Sequence, residues 1–312
     1  MIQNKIQDFN LSGEKTTGID NLHKHPVYWF NDGSIVLQVQ EQLFRVHLSL
    51  LSRLSPYFAG LRTDTLTNIV GLGNGTLAHD FRVLLEHLYH DIPLSTASTI
   101  DRFASILRIT SPTLLDFPTL HGVAKEAFSA KFPRGPLACY RPSTNTLETL
   151  ALATEYRLDP VRKLLLYSIV TNDEFDFLDG MANEARPHRD AEPAELKTNT
   201  AAPQKLSAAD NKTCSDLMIK LIEHFTPVLF TPPTTPHIPC TDVIASAWAP
   251  LVAQPAITGE GLAKPLETLE QMKAIDWAGQ GLCASCIAEK REEWTGEQQA
   301  IWDIMDDWLK PK

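Results

Sequence analysis

The chain has no uninterrupted apolar run near the ~18 residues that a membrane span requires, although 43% of its 312 residues are hydrophobic. Basic charge is also short. Lys and Arg number 28 against 38 Asp and Glu, a formal net charge of −10. That balance argues against general nucleic-acid binding, which needs a cationic face to neutralise phosphate. Met1 to Lys24 is polar, so no secretory signal is expected, and the expected location is intracellular, cytoplasmic or nuclear. Cysteine is scarce and odd in number, at five. Without a signal, such cysteines are expected as thiols or metal ligands rather than as a disulfide framework. Signatures of catalysis are missing too. There is no Gly-x-Ser-x-Gly elbow and no His-Glu-x-x-His, and no acid–base or nucleophile constellation stands out. Gly71-Leu72-Gly73-Asn74-Gly75 lacks the Gly-Lys-Ser/Thr ending of a phosphate loop and reads as a turn. An enzyme is therefore the weakest class.

What is present fits an α+β protein of about two domains, since a domain runs to roughly 100–200 residues. Residues 1–24 carry few large apolar side chains and read as a disordered leader. After the Asn31-Asp32-Gly33 turn, Ile35, Leu37 and Val39 alternate with Val36 and Gln38, a strand pattern. Phe44, Val46 and Leu48 alternate with Arg45 and His47, which pairs a second strand as a hairpin. The period becomes helical at Leu50, Leu51 and Leu54. Ser55-Pro56 reads as an N-cap with proline at the first helical position. Ile69-Val70 is a candidate short strand. Asp80 is the expected cap of a helix with Phe81, Leu84, Leu85 and Leu88 on one face. Helices are expected over 101–110 and 120–128, then from Leu147 and from Val161.

Ala182 to Asp210 holds almost no large apolar residues, and 182–212 reads as a disordered linker. Thr231 to Pro239 has four prolines and reads as a rigid extended loop. Helices are expected near Leu217–Phe225, Val243–Leu251, Leu266–Ala274 and Glu297–Leu309. On the last of these, Asp303, Asp306 and Asp307 read as a solvated face, and Trp294, Trp302 and Trp308 as packing residues.

The run Phe44-Arg45-Val46-His47, Leu50-Leu51, Ser55-Pro56-Tyr57-Phe58, opened by Asp32-Gly33-Ser34, resembles the signature of the BTB/POZ domain. The Phe81–Tyr89 helix resembles its middle helix, and Arg102–Phe128 its closing helices. The likeness covers about a third of the chain, 25–128, and implies a short mixed sheet capped by helices. A Phe132-Pro133 loop, the Leu150-Ala151-Leu152-Ala153-Thr154-Glu155-Tyr156 helix and the Gly281–Cys286 segment resemble fungal BTB proteins with a helical extension. The extension here would comprise 129–181 and 213–312. The resemblance implies a non-enzymatic protein–protein interaction scaffold. Its partner would be a protein: itself, or a cullin scaffold if the chain is a substrate adaptor of a ubiquitin ligase. A transcriptional or chromatin co-regulator is the other alternative, although no DNA-reading finger is present. Asp32 and His47 match positions where the family often carries polar residues near a partner groove. They can equally serve as a turn residue and a hairpin-packing residue. The family usually has a basic residue after the His, and this chain has Leu48. Self-association in the family uses an apolar element ahead of the first strand, for which Val27-Tyr28-Trp29-Phe30 is the candidate here.

A second constellation is His237-Ile238-Pro239-Cys240, followed after 42 residues by Cys283-Ala284-Ser285-Cys286. Two pairs, each with two intervening residues, have the spacing of a zinc site, because a tight turn lets both donors of a pair reach one ion. Thiolate and imidazole suit Zn²⁺. Such a site would be structural and pin the proline-rich loop to the last helices. The alternatives are a set of buried, unliganded thiols and a redox role for the Cys283-x-x-Cys286 pair, against which stands the lack of any thioredoxin-like surroundings. No other cofactor is expected.

Overall fold

The structure, a computed structural model, describes residues 22–61, 69–73, 75–136, 146–172 and 206–310. It is α+β and divides into two compact units, Met1–Phe132 and Pro133–Lys312.

The first unit is built on a four-stranded mixed sheet of order β1-β3-β2-β4. Strands β2 (Ile35–Val39) and β3 (Gln42–Val46) pair antiparallel from Ile35↔Val46 to Val39↔Gln42. That register leaves Gln40-Glu41 as the turn, with Gln40 at φ 54. Leu37, Val39, Phe44 and Val46 are fully buried on the core face, as period-2 alternation demands. The second strand of the hairpin ends at Val46 rather than at Leu48, which already opens a helix.

Strand β1 (His23–Trp29) runs parallel to β3, with a register break between Lys24 and Trp29. His25 lies inside that break. Its Nδ1 accepts the backbone N–H of Val27 and of Tyr28, at 3.2 and 3.1 Å, so the side chain replaces ladder partners. Its ring stacks on Phe44 at 4.8 Å. The strand begins within the segment read as leader; residues 1–21 lie outside the described residues. The apolar Val27–Phe30 stretch belongs mostly to this strand, with Tyr28 buried and Val27 62% exposed.

Helices α1 (Leu48–Leu54) and α2 (Pro56–Ala59) meet at Ser55. The Ser55 hydroxyl accepts the N–H of Phe58 and donates to the Leu115 carbonyl, so the cap also ties α2 to a distant loop. Strand β4 (Ile69–Gly71) joins β2 in parallel. Three helices close the unit: α3 (Ala78–Leu88), α4 (Ile100–Ile109) and α5 (Pro118–Ser129). Asp80 does not cap α3. Leu77 occupies the N-cap, and the Gln40 side chain reaches over to accept the Ala78 N–H at 3.0 Å. Asp80 is thereby free to sit buried in the first turn, 2.6 Å from Arg108. Glu86, one side further along, is held between Arg82 and Arg102.

The second unit is helical throughout its described residues. It comprises α6 (Thr146–Glu155), α7 (Asp159–Val170), α8 (Ala208–Phe230), α9 (Ile238–Trp248), α10 (Gln254–Thr258), α11 (Pro265–Ala274), α12 (Trp277–Gln280) and α13 (Ala284–Trp308). Helix α8 starts inside the stretch read as linker, capped by Ser207, whose hydroxyl accepts the Asp210 N–H; residues 173–205 lie outside the described residues. Helix α9 continues into α10 through one wide turn, Ala249–Ala253. Pro250 and Pro255 cannot donate the N–H bonds of a regular helix there.

Helix α13 is longer than its sequence pattern suggests. Trp294, Ile301, Trp302 and Met305 of α13 are buried. Lys163 of α7 is buried beside it, with Nζ bonded to the Trp302 carbonyl at 3.0 Å and lying 4.6 Å over the Trp302 ring. Asp306 therefore does more than face solvent: it pairs with Lys163 at 2.7 Å. Tyr167 donates to Glu267 at 2.6 Å and accepts the Leu266 N–H. No helix of the described residues is long and apolar enough to cross a membrane.

Candidate functional site

The second unit brings the two His/Cys pairs together. His237, Cys240, Cys283 and Cys286 offer one imidazole nitrogen and three sulfurs, all within 4.8 Å of one another. His237 Nδ1 is 3.2 Å from Cys283 Sγ and 3.5 Å from Cys286 Sγ. A tetrahedron with Zn–S bonds of about 2.3 Å and Zn–N of about 2.0–2.1 Å has edges of roughly 3.5–3.8 Å. The observed separations bracket that range, so the cluster could hold a metal ion.

Local helix geometry explains why the spacing works. His237 is the N-cap of α9 and Cys240 lies in its first turn, after Pro239. Cys283 is the N-cap of α13 and Cys286 lies in its first turn. In both pairs the N-cap residue and the residue three on face the same way, as the partners of a capping box do. Two helix N-termini thus converge on the donors, and their unpaired N–H groups and positive dipole ends favour thiolates. The extended loop ends at His237 rather than at Pro239, because Ile238 already begins the helix.

Each knuckle is braced from behind. Thr235 donates its N–H to the Thr241 hydroxyl at 2.9 Å and its own hydroxyl to the His237 carbonyl at 2.8 Å. On the other side, Asp276 caps α12 through the Gly279 N–H. Gly281 then turns the chain at φ 106, a left-handed conformation that disfavours any side chain. This turn delivers Leu282 to the core and Cys283 to the cluster. Trp248 and Trp294 each lie eight residues beyond the second donor of a pair, counting 240 to 248 and 286 to 294. Their rings approach to 6.5 Å, and Trp277 lies 5.9 Å from Trp294.

Exposure differs among the four donors. Cys240 and Cys286 are buried, Cys283 is half-buried and His237 is exposed. The Cys286 backbone N–H, followed by His237, pulls the Cys283 thiol down to about 6. Burial pushes the Cys286 thiol up. Cys214, elsewhere on α8, is fully buried and pushed up to about 12 by burial, which leaves it an inert core thiol. Cys139 lies outside the described residues.

The first unit joins Asp32 and His47 directly. His47 Nε2 is 3.3 Å from Asp32 Oδ2. His47 Nδ1 is 2.9 Å from the Tyr89 hydroxyl, which also accepts the His47 backbone N–H at 3.2 Å. One proton arrangement satisfies all three contacts: Tyr89 donates to Nδ1, and Nε2–H donates to Asp32. Hydrogen bonding to His47 holds the Asp32 carboxyl below its usual range. The Phe30 ring covers the group, 5.3 Å from His47 and 4.8 Å from Tyr89. Asp32 remains 82% exposed and His47 30% exposed. Gly33 admits the close approach: a Cβ there would lie 2.9 Å from the Arg45 backbone. Tyr89 escaped sequence reasoning, since it lies 42 positions from His47. The only hint was an aromatic residue closing the expected Phe81–Tyr89 helix.

No protein-family model matches the chain, and no curated protein matches it.

Proposed function

We propose that the chain is a protein-interaction scaffold. Its N-terminal unit is of BTB/POZ type and presents a partner surface around Asp32 and His47. Its helical unit carries a structural zinc ion on His237, Cys240, Cys283 and Cys286. The observation that carries the interaction reading is the order of elements: a hairpin, two short helices, a short strand and three closing helices. Asp32 and His47 flank that hairpin, Tyr89 from the end of α3 fixes His47, and Asp32 is left exposed. The zinc reading rests on the donor set. Three sulfurs and one imidazole suit Zn²⁺, and four protein ligands make a closed, structural site with no position for substrate.

Tagged full-length chain and an Asp32→Lys variant, incubated with lysate of the source organism and compared by quantitative mass spectrometry, test the interaction reading. The expected result is a defined set of proteins retained by the unmodified chain and depleted several-fold by the variant. A cullin in that set would make the chain a ligase adaptor. Identical retention by both chains would overturn the assignment of the partner surface.

A further inference from the structure

We propose that the metal centre is redox-labile: a hydroperoxide oxidises the Cys283/Cys286 pair to a disulfide and expels the ion. This inference rests on the structural-zinc reading and adds its regulation. Two features of the site carry it. First, the four donors are unequally sheltered. Cys240 and Cys286 are buried, whereas Cys283 is half-buried beside the exposed His237. An oxidant arriving from solvent therefore meets Cys283 before the other sulfurs. Second, the acceptor for an oxidised Cys283 is already in place. Cys286 is one helical turn away on the same N-terminus, the arrangement of a Cys-x-x-Cys redox pair. Closing this short loop needs no movement of α9.

The chemistry balances in two steps. The Cys283 thiolate attacks the peroxide, an S–O bond forms and the O–O bond breaks, giving the sulfenic acid and, from hydrogen peroxide, hydroxide (an alkoxide from an organic hydroperoxide). The Cys286 thiolate then attacks that sulfur, the S–S bond forms and the S–O bond breaks, releasing a second hydroxide. The pair loses two electrons and the peroxide gains them. His237 and Cys240 remain as a two-ligand fragment, too few to retain Zn²⁺ against a chelator. Reduction of the disulfide by a dithiol restores the full ligand set.

The test uses the zinc-loaded full chain with hydrogen peroxide and a chromogenic zinc chelator. Peptide mapping locates the oxidised residues. The expected result is release of one zinc per chain together with a Cys283–Cys286 disulfide. Zinc should rebind after treatment with a dithiol. A Cys139→Ser/Cys214→Ser variant, which keeps all four donors, should release zinc at the same rate. Retention of zinc while other thiols oxidise would overturn the proposal. So would release accompanied by a disulfide through Cys240, or by irreversible sulfinic acid at Cys283. A chain that takes up no zinc under reducing conditions would instead overturn the underlying metal reading, so the two failures are distinct.

Discussion

On the zinc reading proposed above, stripping the metal should unfold the helical unit at a markedly lower temperature while leaving the N-terminal unit untouched. The donors His237 and Cys283 are 46 positions apart in sequence. They meet only when the N-termini of α9 and α13 are both in place, so the unfolded chain cannot offer the same site, and binding energy becomes folding energy. At free zinc about a thousandfold above the dissociation constant, linkage contributes about 4 kcal/mol. The unit from Pro133 to Lys312 belongs to the size class in which each kcal/mol moves the midpoint by about 2–4 °C. The expected fall on chelation is therefore about 8–16 °C. Scanning calorimetry of the full chain, with zinc and then with a strong chelator, reads it directly. The transition of the Met1–Phe132 unit serves as the internal control, because it contains none of the four donors. If neither transition moves, or if both move equally, the metal does not organise the helical unit.

Other expectations concern single residues and pH. Burial lowers His25, His87 and His121 below the ordinary histidine value. Their unfolded forms therefore take up protons first as pH falls through about 6.5, and stability rises with pH in that window. Urea unfolding of the N-terminal unit should accordingly show a lower midpoint at pH 5.5 than at pH 7.5, and an unchanged midpoint would contradict the burial. Ser55→Ala removes both the cap of α2 and the bond to the Leu115 carbonyl. It should cost about 1–3 kcal/mol by urea titration. Gly281→Ala forces a side chain into φ 106. It should destabilise the helical unit by about 1–2 kcal/mol, and zinc affinity measured by competition with a chelator should fall with it.

The hairpin was legible because its burial follows strict alternation: Leu37, Val39, Phe44 and Val46 are the buried set that period 2 selects. Ser55-Pro56 was legible because capping chemistry is local. The convergence of His237, Cys240, Cys283 and Cys286 was legible from spacing alone, although not their placement at two helix starts. The failures share one cause, which is a partner supplied from far along the chain. Asp80 looks like a cap until Gln40 takes the Ala78 N–H. Asp306 is solvated as expected, 60% exposed, but its pairing with Lys163 from α7 was not visible. Tyr89 has no visible tie to His47 until the end of α3 lies beside the hairpin. His25 opens the expected domain, and its role there is local: its ring nitrogen accepts the Val27 and Tyr28 N–H groups where Pro26 and the register break remove ladder bonds.

The most direct measurement is the metal content of the full chain, purified under reducing conditions without a metal-binding tag and analysed by plasma mass spectrometry. Cys240→Ala and Cys286→Ala variants should be prepared alongside. Four converging donors predict one zinc per chain in the unmodified protein and loss of that zinc in both variants. No zinc above buffer after reconstitution, or equal zinc in the unmodified chain and the variants, would contradict the account.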